Sequence, residues 1–187
     1  MAQDILTAKI AHSFDLLDAD GDGRLTEHDH ILMGRRAAAA LGHRPGSPEE
    51  ARITTAYTRI WNDLHRPLVA AGEDHIGKEA FIASTRSLAG DPDAAETTLG
   101  ALARVYLSVA DADGSGDVTV DEFAVFQRSH FPDLTQDDID KAFAHLDRDG
   151  SGRLTPGEFT GAILEYYTST DPDAPGNWFM GRPVYER

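Results

Sequence analysis

Apolar residues recur at helical spacing along most of this chain. Ile10, Phe14 and Leu17 fall at i, i+4 and i+7. Leu99, Leu102, Tyr106 and Val109 form a second stripe, and Ile139, Ala142, Phe143 and Leu146 a third. Shorter stripes, Phe123 with Phe126 and Phe159 with Ile163, start just downstream of the polar stretches that interrupt the pattern. Ile53, Tyr57, Ile60 and Leu64 make another face, behind a helix start written as Ser47, Pro48 and Glu50. The pattern predicts an all-α fold.

The interruptions are alike. DADGDGRLTEHD (18–29), DADGSGDVTVDE (111–122) and DRDGSGRLTPGE (147–158) align without a gap. Each has acids at positions 1 and 3, Asp or Ser at 5, Gly at 6, Leu or Val at 8, Thr at 9 and an acid at 12. Such crowded like charges repel unless a cation offsets them. Calcium, a hard cation that takes about six to eight oxygen ligands, fits the spacing. Side chains at 1, 3, 5 and 12 supply oxygens: Asp18, Asp20, Asp22 and Asp29; Asp111, Asp113, Ser115 and Glu122; Asp147, Asp149, Ser151 and Glu158. Position 7 supplies only a backbone carbonyl, so Arg24, Asp117 and Arg153 are free to differ. Thr26, Thr119 and Thr155 each stand three residues before the final acid, the spacing of a capping box, which ends each loop in a helix start.

Helix, twelve-residue loop, helix is the EF-hand unit. A fourth unit is found by its frame: Ile76 precedes Phe81 by the spacing that joins Val118 to Phe123 and Leu154 to Phe159. The implied loop, VAAGEDHIGKEA (69–80), has Val69, Ala71 and Ala80 at positions 1, 3 and 12, so it is expected to be structural and not to hold metal. Position-8 residues should pair as short β ladders, Leu25 with Ile76 and Val118 with Leu154. The expected organisation is an N-terminal hand pair (1–90), a C-terminal pair (91–168) and a tail (169–187) docked on the core. An insertion near 41–50 lengthens the first pair, and a seam near 89–94 separates the two.

With hands 1, 3 and 4 intact, hand 2 degenerate and Asp29 closing the first loop, the chain resembles the calerythrin and sarcoplasmic calcium-binding protein group of the EF-hand superfamily. The resemblance implies a compact α-helical protein that binds about three Ca2+, with Mg2+ as a competitor, and that serves as a calcium buffer. Asp29 is one methylene shorter than Glu, and site 1 has four carboxylates, so Mg2+ should compete best there.

Composition narrows the alternatives. With 32 acidic and 17 basic residues, the net charge of −15 excludes phosphate-rich nucleic acid and anionic membrane surfaces as natural partners. Cysteine is absent, which removes disulfides, thiolate zinc sites and thiol nucleophiles. His28-Asp29-His30 offers too few ligands for tetrahedral zinc. LDADGDG has the Asp-x-Asp of haloacid dehalogenase phosphatases but follows a helical stripe where that motif follows a strand. Dockerin modules fit the complete flanking helices poorly. No nucleophile–base pair or phosphate cradle argues for an enzyme. The first residues lack a secretory pattern, Ala2 excludes myristoylation, and no run reaches the roughly 18 apolar residues of a membrane span, so a cytoplasmic monomer is expected.

Two functions remain: a buffer that stays closed, or a sensor that opens an apolar groove to a protein target. Only Met1, Met33 and Met180 provide adaptable thioethers, which favours the buffer. The tail carries Trp178, Phe179, Met180, Val184 and Tyr185 among several prolines. It is expected to pack on the core or to fill a groove between hands in place of a target.

Overall fold

The computed structural model describes residues 4–181. The helices run α1 (Ile5–Leu17), α2 (Glu27–Ala40), α3 (Pro48–Ile60), α4 (Lys78–Ser87), α5 (Pro92–Ala110), α6 (Val120–His130), α7 (Gln136–Leu146) and α8 (Pro156–Thr168). Two-residue strands β1 (Arg24–Leu25), β2 (Ile76–Gly77), β3 (Val118–Thr119) and β4 (Arg153–Leu154) lie in the loops. Each expected stripe faces inward: Ile10, Phe14, Leu17, Leu99, Leu102, Tyr106, Val109, Ile139, Ala142, Phe143 and Leu146 are all buried. Burying one such side chain contributes about 1.5–3 kcal/mol relative to leaving it in water.

The loops pair as their frame requires. β1 and β2 are antiparallel with Leu25 opposite Ile76; β3 and β4 are antiparallel with Val118 opposite Leu154. All four of these side chains are buried, so the ladders tie each pair of loops to the core beneath. Three capping boxes form as expected, from Thr26 with Asp29, Thr119 with Glu122 and Thr155 with Glu158.

The insertion between hands 1 and 2 extends α2 and begins α3, with the Ser47 hydroxyl accepting the Glu50 N–H. α2 and α3 pack closely because Gly34 has no Cβ; one placed there would lie 2.7 Å from Thr54 Cα. Beyond Ile60 the chain tightens into a π turn (Trp61–His65) and a 3-10 turn (Arg66–Leu68), which leaves Leu64 half-buried. Buried residues of both hand pairs form one apolar cluster. A polar link also crosses between the pairs, where the Tyr57 hydroxyl of α3 lies 2.8 Å from His130 Nε2 of α6.

Past α8, residues Pro175–Trp178 form a 3-10 turn and Phe179 enters the core. Its ring meets Phe159 edge-on at 5.2 Å, and its carbonyl accepts the Gln127 side-chain N–H at 2.8 Å. Trp178 stacks on His145 at 4.6 Å. Gly176 sits directly on α8; a Cβ there would lie 2.7 Å from the Ala162 carbonyl. Lys9 fastens the far side. Its buried ammonium donates to the Ser169 carbonyl at 2.7 Å and to Asn177 Oδ1 at 2.9 Å. Burial lowers its pKa to about 8, with Glu165 and Asp171 opposing that shift. Pro183, Val184 and Tyr185 of the expected tail lie outside the described residues.

Candidate metal centres

Each loop converges carboxylates at its mouth. The oxygens of Asp18, Asp20 and Asp22 lie within 4.8 Å of one another, as do those of Asp111, Asp113 and Glu122, and those of Asp147, Asp149 and Glu158. Backbone N–H groups hold the position-1 carboxylates in place. Asp18 Oδ2 accepts from Gly23 at 2.7 Å, Asp111 Oδ2 from Gly116 at 3.0 Å and Asp147 Oδ2 from Gly152 at 2.9 Å. These turns need the left-handed region, and Gly23, Gly116 and Gly152 stand at φ of +82°, +98° and +78°.

Loops 3 and 4 are near copies. Ser115 and Ser151 donate their hydroxyls to the position-7 carbonyls of Asp117 and Arg153 at 3.0 and 3.1 Å, which brings both oxygens to the same side of the loop. The Ser115 and Ser151 hydrogen bonds hold the Asp113 and Asp149 carboxyls below the usual range. At Glu122 and Glu158 burial raises the pKa, but hydrogen bonds from Thr119 or Thr155 and nearby N–H groups outweigh it, and the net shift is downward. These four carboxylates are therefore ionised at neutral pH.

Loop 1 closes on Asp29 with the same set of hydrogen bonds that Glu122 and Glu158 make, but with the carboxylate more deeply buried. Asp29 is 1% exposed, and its Oδ2 accepts both the N–H (2.8 Å) and the hydroxyl (2.7 Å) of Thr26, while Oδ1 accepts from Ala19 at 3.0 Å. It does not join the cluster of Asp18, Asp20 and Asp22, whereas Glu122 and Glu158 join theirs. The missing methylene explains the difference.

Loop 2 gathers Glu73, Asp74 and His75, but the Arg24 guanidinium from loop 1 lies 2.5 Å from Asp74 Oδ1 and 3.0 Å from His75 Nδ1. An internal cation thus sits across the ladder against the acids of the degenerate loop. The Arg24 side chain, read from the sequence as indifferent, has this partner. His28 is exposed, whereas His30 is buried with both ring nitrogens in hydrogen bonds, so the His28-Asp29-His30 run does not converge.

All-oxygen sets of two or three carboxylates, with further oxygens from hydroxyls and carbonyls, suit a hard dication and offer no soft ligand. Residues 10–29, 104–127 and 139–161 match the EF hand family model. The chain is 28% identical over 180 residues to obelin of Obelia geniculata, covering 91% of this chain and 87% of that one. To calerythrin of Saccharopolyspora erythraea it is 23% identical over 169 residues, covering 89% and 94%. The fold superposes on the calcium-loaded apo form of coelenterazine-binding protein from Renilla muelleri with a TM-score of 0.77 at 21% identity, covering 94% of each chain. Three segments of the chain are thus EF-hands, and calerythrin is among its relatives. Among the described residues no helix is long and apolar enough to cross a membrane.

Proposed function

We propose that the chain binds three calcium ions, one each in loops 1, 3 and 4, and acts as a cytoplasmic calcium buffer that works as a monomer and is not an enzyme. The observation that carries this reading is three all-oxygen carboxylate clusters on a fold whose core already takes in Phe179 of the tail. Asp18, Asp20, Asp22 and the Arg24 carbonyl are the ligands of loop 1, with Asp29 reaching the ion once it leaves Thr26. Asp111, Asp113, Ser115, the Asp117 carbonyl and Glu122 serve loop 3. Asp147, Asp149, Ser151, the Arg153 carbonyl and Glu158 serve loop 4. Phe179, seated against Phe126 and Phe159, covers the surface that a sensor would offer to its target.

A hydrophobic dye read in physiological magnesium separates buffer from sensor. The buffer reading expects dye that is dim with calcium and bright with chelator, because only the metal-free chain is loose. Dye that brightens on adding calcium would favour the sensor.

Magnesium competes best at loop 1, where Asp29 is too short to offer both oxygens easily. Asp29→Glu is expected to raise the calcium-over-magnesium preference of that loop by about an order of magnitude in competition titrations. An unchanged preference would contradict the role given to Asp29.

A further inference from the structure

Residues 30–48 contain no acid, in a chain that has 32 of them. They carry Arg35, Arg36, His43 and Arg44, across the end of α2 and the turn that leads to α3. Calcium binding makes no use of this stretch. A cleft of about 580 Å³ opens there, lined by Arg35, Arg36, Ala39, His43, Pro45 and Glu50. That size falls within the range of small-molecule sites, about 300–1,000 Å³.

The donors of the cleft are available. Among the described residues the Arg35 guanidinium makes no hydrogen bond or ion pair, and neither does the His43 ring. Arg36 donates to the Ala19 carbonyl at 2.7 Å, which holds its guanidinium in place and leaves its other N–H groups free to donate. Groups that would repel an anion are engaged elsewhere. The Ala38 and Ala39 carbonyls at the end of α2 accept the N–H groups of His43 and Gly42 at 3.0 and 2.9 Å. Glu50 turns toward the backbone and accepts the Gly46 N–H at 2.5 Å.

This donor set selects a class of ligand. A carboxylate is satisfied by a single guanidinium fork. Two guanidiniums and an imidazole N–H suit a group with several terminal oxygens and more than one charge, which is a phosphate monoester. Ala39 and Pro45 give its organic part an apolar wall. A long polyanion would also meet the acidic surface around the cleft, whereas a single phosphate group feels mainly the charges within the Debye length of about 8 Å.

We propose that this cleft binds the phosphate monoester of a small organic molecule, with Arg35 and Arg36 on its oxygens and His43 as a further donor. None of these three side chains is a calcium ligand.

The probe is phenyl phosphate, titrated into the calcium-loaded, isotope-labelled full chain at about pH 7.5, where the monoester is a dianion, and followed by backbone amide shifts. The expected result is saturable shifts at Ala39, Gly42, His43 and Gly46 with one dissociation constant. Benzoate, which has the same ring with a carboxylate, should bind about tenfold more weakly. So should phenyl phosphate in Arg35→Gln, as for lost charge-assisted hydrogen bonds. Arg35 is exposed, so this variant should keep the parent's melting temperature. Arg59→Gln, which removes an exposed arginine outside the stretch, should bind like the parent. Absence of saturable shifts overturns the site, as do shifts confined to Gly23, Gly116 and Gly152, where phosphate would be meeting calcium in the loops. Equal weakening in Arg35→Gln and Arg59→Gln reports net charge alone and also overturns it. Benzoate that binds as tightly as phenyl phosphate overturns the phosphate class.

Discussion

Chelating calcium lowers the melting temperature by about 20 °C. A ligand present at about a hundred times its Kd stabilises the folded state by about 2.7 kcal/mol per site, so three sites supply about 8 kcal/mol. In a domain of this size each kcal/mol moves the midpoint by about 2–4 °C. The physical cause is on the surface of the loops. Three clusters hold carboxylates within 4.8 Å of one another, in a chain already carrying a net charge of −15. Dications offset that repulsion, and the unfolded chain, which has no such clusters, gains little from them. A thermal scan monitored by circular dichroism, with calcium and with chelator, checks the expectation. Coincident melts would contradict it.

Phe179→Ala is expected to cost about 3–5 kcal/mol, the range for truncating a buried aromatic residue, and to lower the calcium-loaded midpoint by about 10 °C. Phe179 is 1% exposed, and its ring packs on Phe126 of α6 and Phe159 of α8, the outgoing helices of hands 3 and 4. Losing it leaves a void between α6 and α8 where the tail enters the core. The variant should also bind a hydrophobic dye in calcium, because the tail then loses its ring contacts with Phe126 and Phe159 and keeps the Trp178–His145 stack and the polar contacts of Gly176 and Asn177 with Glu165 and Lys9. A midpoint unchanged within about 2 °C, or dye that stays dim, would show that Phe179 does not seal this surface.

The two outcomes bear on different links of the argument. Chelation tests whether charge in the loops is coupled to folding. Phe179→Ala tests whether the fold is closed without a target. A chain that passes both behaves as a buffer, holding metal without exposing a new face.

Much of this was readable in the sequence because it is local. The helical stripes depend on spacings of three and four, and Ile10, Phe14 and Leu17 are buried as their phase requires. The frame linking Ile76 to Phe81 located a loop without ligands and predicted the Leu25–Ile76 pair. The Thr26–Asp29 capping box was visible in the spacing, but the near-complete burial of Asp29 was not. What escaped is long-range. Nothing near Arg24 in the chain points to Asp74, fifty residues on. Lys9 gave a signal that could have been used: it shares a helical face with Leu6, Ser13 and Ile10, a place where a lysine needs acceptors, which residues 165–177 supply. His30 and His65 are 35 positions apart, and only the π turn after α3 brings them together. The closeness of α2 and α3 at Gly34 likewise depends on a partner, Thr54, that no spacing rule identifies.

Counting the calcium ions tests the central claim most directly. Calorimetric titration of the metal-free full chain should saturate at three equivalents, with Glu122→Gln and Glu158→Gln each removing one and leaving the others. Saturation at two would mean that Asp29 cannot complete loop 1, and saturation at four would mean that Glu73, Asp74 and His75 hold metal despite Arg24; either would contradict the account.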